Sequence, residues 1–129
     1  MVFGIDADKA REILSLLPAT RIPGAVPAVR GLANVRGLLV TLIDAAVALG
    51  LAERPSAAAE AVLLLEHGSR RVGLVVDEVL DLVAVEEASL DDQAALPGVR
   101  PDVVRAVGSA AGRPFVQLDT SALLEPLLP

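Results

Sequence analysis

The sequence predicts a mainly β protein made of two alike small barrels with short helices, and three observations carry that expectation. The chain has 129 residues and is 53% hydrophobic with only 2% aromatic residues, neither Trp nor Tyr among them, so its core must be built from Val, Leu, Ile and Ala. Apolar runs of strand length are bounded by Gly- and Pro-containing turns, the spacing of a small barrel. A weak internal duplication repeats three anchors in the same order. Gly4-Ile5, Asp8 and Glu12-Ile13 recur as Gly73-Leu74, Asp77 and Asp81-Leu82. Pro23-Gly24, Pro27 and Val29 recur as Pro97-Gly98, Pro101 and Val103, and residues 40–44 recur as 115–119.

Taken in order, residues 7–17 are the ambiguous segment. Ala10, Ile13, Leu14 and Leu17 lie at helical spacing, yet the matching stretch 79–85 is β-branched and strand-like, so a turn followed by a strand is expected. Residues 53–60 read as a linker between the copies. Residues 62–66 and 72–76 are expected strands joined through a turn at His67-Gly68-Ser69, where glycine supplies positive φ. A third strand is expected over 79–85, then short strands at 103–107 and 114–118. Asp44 and Asp119 each precede a short Leu- and Ala-rich tail and are expected to cap a small helix, since a carboxylate accepts the unpaired N–H groups at a helix start. The duplication divides the chain at about residue 60: one unit over about 1–60, a second over about 61–129, with strand exchange between them allowed.

Composition narrows the function. A net charge of -6 repels phosphate backbones, and the scarcity of aromatics removes stacking platforms for single strands, so nucleic acid is not an expected partner. The absence of cysteine excludes disulfides and thiolate chemistry. The longest apolar stretch, 38–52, contains Asp44 and is too short to span a bilayer. With Asp6 and Asp8 in place of a leader, a cytoplasmic location without membrane insertion is expected. His67 stands alone, which argues against a metal site or a nucleophile–base pair. No phosphate-cradling glycine loop is present, and Lys9 is the sole lysine. No cofactor or catalytic residue is assigned. The acidic run Glu86, Glu87, Asp91, Asp92 reads as a solvated loop, and Asp77 as a turn residue.

One motif is more specific. Arg30-Gly31-Leu32-Ala33-Asn34-Val35-Arg36-Gly37 resembles the RG-x-x-N-x-RG segment of CheW-like domains. Its flanks agree: Phe3-Gly4-Ile5-Asp6, Arg11-Glu12-Ile13 and Thr20-Arg21-Ile22-Pro23-Gly24 before it, Leu42-Ile43-Asp44 after it. Residues 71–79 and 115–119 followed by Ala122-Leu123-Leu124 extend the resemblance over nearly the whole chain. It implies a single CheW-like domain, residues 1–129, of two SH3-like five-stranded barrels. It implies a non-enzymatic adaptor between methyl-accepting chemotaxis receptors, bound at the cytoplasmic tip, and the regulatory domain of the histidine kinase CheA. Members of the family usually carry a further strand before Phe3, so the first barrel is expected to lack it and to expose an edge unless another segment covers it.

The same resemblance points to site residues. Arg36 is implied to face the receptor, its planar fork suited to a carboxylate or carbonyl; the alternative is a solvated loop arginine. Glu12 is implied in the receptor groove, with Ala10 on the same strand face; the alternative for Glu12 is a surface charge. Val62 and Gly73 map to the groove as well, against a core strand residue and a close-packing glycine as the plainer readings. Gly31 and Leu38 map to the kinase side, although Gly31 and Gly37 equally serve backbone geometry closed to other residues. Two alternatives stand beside the chemotaxis adaptor: a diverged CheW-like module of another receptor–kinase system, such as one for surface motility, and a structural β-barrel that associates through its open edge.

Overall fold

A computed structural model describes residues 2–51, 61–80, 99–110 and 112–128. Eight strands are assigned there: β1 (Phe3–Gly4), β2 (Ala10–Ser15), β3 (Val29–Val35), β4 (Leu38–Asp44), β5 (Ala61–His67), β6 (Arg70–Val76), β7 (Val104–Ala110) and β8 (Arg113–Leu118). Helix α1 (Ala45–Ala48) follows β4 and α2 (Thr120–Leu124) follows β8, with 3-10 turns at Ala7–Lys9, Pro101–Val103 and Glu125–Leu127. The protein is therefore mainly β, as the apolar runs and turn residues predict. The ambiguous 7–17 segment is a 3-10 turn and a strand. Its helical spacing is coincidental: Ile13 is 58% exposed, while Leu14 and Leu17 pack on the barrel core.

Five strands form one sheet in the order β2-β5-β6-β4-β3, and three form the other in the order β1-β8-β7. The first sheet closes on itself. The chain leaving β2 returns to β3, where Thr20 and Leu32 exchange two backbone hydrogen bonds of 2.8 Å each. Gly31 makes this closure possible. Its φ is 142°, and a Cβ there would sit 2.2 Å from the Thr20 carbonyl oxygen.

The duplication is visible in the strand pairing. β4 pairs in parallel with β6, Leu42 opposite Gly73, and β8 pairs in parallel with β1, Gln117 opposite Gly4. Gly4 and Gly73 are matched positions of the repeat, as are Leu42 and Gln117. In each copy the strand that carries this glycine therefore lies in the other copy's sheet. Both hairpins carry a bulge at the same place, between Val29 and Gly31 in β3 and between Val104 and Ala106 in β7. The amides of Asp44 and Asp119 donate to Ala28 and Val103 at 2.7 and 2.9 Å. Val29 opposes Ile43 and Val104 opposes Leu118, so the structural counterpart of Val29 is Val104, one residue beyond the position the sequence pairs with it.

Three expectations need correction or bounding. The sheets do not divide at about residue 60: β5 and β6 lie in the sheet of β2–β4, and β1 lies with β7 and β8, because parallel pairing with β4 buries β6 on both faces. Among the described residues, β1 pairs with β8 and not with the five-stranded sheet, whose β3 edge is met by Thr20 at Leu32. Of the strand expected at 79–85, Val79 and Leu80 are irregular, and 81–85, the linker 53–60 and the acidic loop lie outside the described residues.

The pairing creates two cores. Val35, Val40, Leu42, Val62, Leu64 and Val75 fill the barrel. Ile43, Leu65, Val72 and Leu74 project from its outer face onto Leu49, Val103, Val116, Leu118, Leu123 and Leu124. Successive residues of β4 and β6 thus serve different cores, which explains their nearly unbroken apolar runs. Arg100 ties the halves further: its backbone N–H donates to Leu49 O and its Nη1 to Ala48 O, both at 3.1 Å, satisfying carbonyls at the end of α1. We expect Leu42→Ala, at a site with no exposed surface, to lose about 2–5 kcal/mol in chemical denaturation, a large share of the roughly 5–15 kcal/mol typical of a domain. Arg36→Ala should leave the midpoint near that of the parent.

Candidate functional site

At the β3–β4 turn both Arg36 and Gly37 have positive φ, 49° and 86°, the signature of a type I′ hairpin. Asn34 Oδ1 accepts the Gly37 amide at 2.7 Å and pins the turn. The Asn-x-Arg-Gly spacing thus has a local reason: Asn caps the turn, Gly takes the left-handed position, and the side chain of Arg36 is held out at the tip, 64% exposed.

The turn brings Arg36 to Glu12, a pairing across 24 positions of sequence. Arg36 Nη1 donates to Glu12 Oε1 at 2.9 Å, and Nη2 pairs with Oε2, a two-pronged contact. The hydrogen bond from Arg36, against the opposing effect of burial and aided by the charges of Arg36 and Arg71, holds the Glu12 carboxyl below its ordinary range. The hydrogen bond and charge of Glu12 raise Arg36 in turn.

The pair belongs to a larger arrangement. Glu12, Glu66 and Arg71 continue the barrel-facing sides of β2, β5 and β6 beyond the apolar core, and the tip of the β3–β4 hairpin reaches the same end. Glu66 is directly opposite Arg71 in register and also pairs with Arg11. The Arg11 hydrogen bond, opposed by burial and joined by the charges of Arg11 and Arg71, lowers the Glu66 carboxyl. One mouth of the barrel is therefore rimmed by alternating charges over an aliphatic interior.

The other expected site residues fall in different places. A bulge between Ala10 and Glu12 turns Ala10 away from the barrel: it opposes Leu65 and packs on the inter-sheet core, whereas Glu12 opposes Leu64. Ala10 and Glu12 do not share a face. Val62 has no exposed surface, and a Cβ on Gly73 would meet Leu42 Cδ2 at 2.5 Å and Val62 Cγ1 at 2.8 Å. Both are core positions, so neither offers the receptor contact expected of it. Gly31 is buried at the Thr20 closure and offers no side-chain surface for the kinase contact expected there. Leu38 and Leu39 are 49% and 69% exposed at the start of β4, beside a cleft lined by Thr41, Ser69, Arg70 and Leu128.

Asp44 Oδ1 accepts the Ala46 and Val47 amides at 3.1 and 3.3 Å, and its Oδ2 receives Arg30 Nε and Nη2 at 3.2 and 2.9 Å. Asp119 Oδ1 accepts the Ala122 amide at 3.1 Å. His67, the last residue of β5, places Nε2 2.6 Å from Glu125 Oε2. Among the described residues no cluster of three or more His, Cys, Asp or Glu could hold a metal, and no helix is long and apolar enough to cross a membrane.

The lowered carboxyls set an acid dependence. A carboxylate depressed in the folded state contributes stability above its unfolded value, about 4.3 for Glu, and loses it as pH falls through the lower folded value. The Glu12→Gln/Glu66→Gln variant should therefore show a flatter decline of denaturation midpoint below about pH 4.3 than the parent, with the two curves following the same slope near neutrality. Parallel acid limbs would contradict the pairing.

Comparison with known proteins agrees with this fold. Residues 1–127 match the CheW-like domain family. The chemotaxis protein CheW of Bacillus subtilis (strain 168) is 25% identical over 126 residues, 95% of this chain and 80% of that protein. The CheW of Rhizobium meliloti (strain 1021) is 31% identical over 88 residues, 68% of this chain and 57% of that protein, so the likeness spans little more than half of that relative. Protein PilI of Pseudomonas aeruginosa is 38% identical over 71 residues, 55% of this chain and 40% of that protein. The crystal structure of the scaffolding protein TtCheW from Thermoanaerobacter tengcongensis is similar in fold, with a TM-score of 0.84 at 20% identity, covering 95% of this chain and 84% of that one. With the exchanged-strand β architecture, the Asn-x-Arg-Gly hairpin and a family match across almost its whole length, this chain belongs to the CheW-like domain family.

Proposed function

We propose that the protein is a non-enzymatic adaptor that couples methyl-accepting chemotaxis receptors to the regulatory domain of the histidine kinase CheA. The observation that carries this reading is the presentation of Arg36. A non-glycine residue at positive φ is uncommon and carries an intrinsic cost, yet here it holds a guanidinium at the tip of a pinned hairpin, two-thirds exposed. Glu12 engages Nη1 and Nη2 from one side. A guanidinium has five donors, so the remaining N–H groups can make first contact with a carboxylate or carbonyl on a receptor helix, which then competes with Glu12 for the rest of the fork.

The kinase side of the reading uses the apolar start of β4. Leu38 and Leu39 point to opposite faces of the strand and stay exposed although the rest of β4 is largely buried. Exposed leucines beside a charged rim suit a partner that buries an apolar patch and leaves a polar border. In this reading the protein works in the cytoplasm.

The experiment is a pair of binding measurements, one with a receptor cytoplasmic fragment and one with the kinase regulatory domain. Arg36→Glu should weaken receptor binding by about 30-fold or more, the loss of a hot-spot contact, and leave kinase binding near the parent value. Leu39→Asp should do the reverse. A parent protein that binds neither partner would sink the adaptor reading in favour of a structural barrel module.

A further inference from the structure

The charged mouth of the barrel contains a cation with no assigned duty. Arg71 starts the barrel-facing side of β6, two positions before Gly73, whose neighbour in register is Leu64; Leu64 in turn opposes Glu12. Arg71 also lies directly opposite Glu66. Both carboxylates are already held directly by other arginines, Glu12 by Arg36 and Glu66 by Arg11. Among the described residues the Arg71 side chain makes no direct hydrogen bond or close ion pair, and it acts on Glu12 and Glu66 through its charge alone.

We propose that Arg71 is a positioning residue, the reserve counter-ion of Glu12, which takes that carboxylate when Arg36 turns to an acidic side chain of a partner. Without a substitute, a partner carboxylate that takes over the whole fork of Arg36 would leave Glu12, a partly exposed carboxylate on the rim, without its direct counter-ion. A second cation on the same rim removes that conflict, because the attraction between unit charges persists over several ångströms at a protein surface. The charge of Arg71 already lowers the carboxyls of both Glu12 and Glu66. The rim thus works as an exchange of partners around a fixed charge balance, and Arg71 tunes how readily Arg36 is released.

Two arms test this. The first needs no partner: the Glu12 carboxyl is titrated by NMR in the parent, in Arg36→Gln and in Arg36→Gln/Arg71→Gln. Glu12 should stay below the ordinary glutamate range in Arg36→Gln and return to it in the double variant. A return in Arg36→Gln alone, or an unchanged value in the double variant, overturns the proposal. The second arm rests on the adaptor reading. Arg71→Gln should weaken binding of a receptor cytoplasmic fragment about two- to fivefold, the scale of an exposed ion pair, Arg71→Lys should restore it, and the effect should vanish in a Glu12→Gln background. An effect that persists there means that Arg71 touches the partner itself and overturns the proposal, as does no effect in a protein that binds receptor. Failure of the parent to bind receptor would count against the adaptor reading and leave the titration to decide the role of Arg71.

Discussion

The parallel pairing of β4 with β6 is the contact on which the rest of the structure depends. It inserts a strand from the second copy of the repeat into the sheet of the first, and the pairing of β1 with β8 does the converse. Because β4 and β6 are central, both their faces are buried, one row of side chains filling the barrel and the next row covering the gap between the sheets. Neither copy can complete its core without a strand from the other. At about 25 cal/mol per Å² of apolar surface, strands buried on two sides carry a disproportionate part of the stability, and the two halves are expected to fold as one unit.

That arrangement also sets up the site. Closing the barrel through Thr20 and Leu32 brings β2 alongside the β3–β4 hairpin, which is what lets Glu12 meet Arg36. Among the described residues the core inside is aliphatic, so its mouth must be sealed by something that tolerates water. Charged side chains do this with their stems on the apolar rim and their heads in solvent. Exposed ion pairs contribute little to stability because solvent and salt screen them. Their value at the mouth is geometric: they hold Arg36 in one orientation while leaving part of its guanidinium open.

Much of the fold was legible in the sequence, and the reasons are specific. Gly68 marked a hairpin turn because tight turns need positive φ, and Gly37 a backbone geometry closed to other residues; Asp44 and Asp119 marked helix starts because a carboxylate there has backbone amides to satisfy. The duplication correctly overruled the helical spacing of Ala10, Ile13, Leu14 and Leu17. It could not tell which sheet each strand would join, since likeness between two segments says nothing about which partner each one pairs with. The division at about residue 60 allowed for strand exchange but could not name the strands that cross it. The site was less legible. Arg36 stood out through its motif, but its bond to Glu12 spans the barrel closure and leaves no local trace. Val62 and Gly73 sit in apolar runs that read the same whether a residue lines a groove or fills a core. The bulge that separates Ala10 from Glu12 has no sequence signature, and Arg71 drew no notice because its meaning depends on three other strands.

A polar rim and an apolar strand end on one rigid barrel are useful to an adaptor only if both can be occupied together. Sedimentation velocity on an equimolar mixture of this protein, a receptor cytoplasmic fragment and the kinase regulatory domain measures that directly. One boundary should carry all three components, with receptor fragment and kinase domain sedimenting separately when this protein is left out. Displacement of the kinase domain by the receptor fragment, leaving only binary complexes, would contradict it.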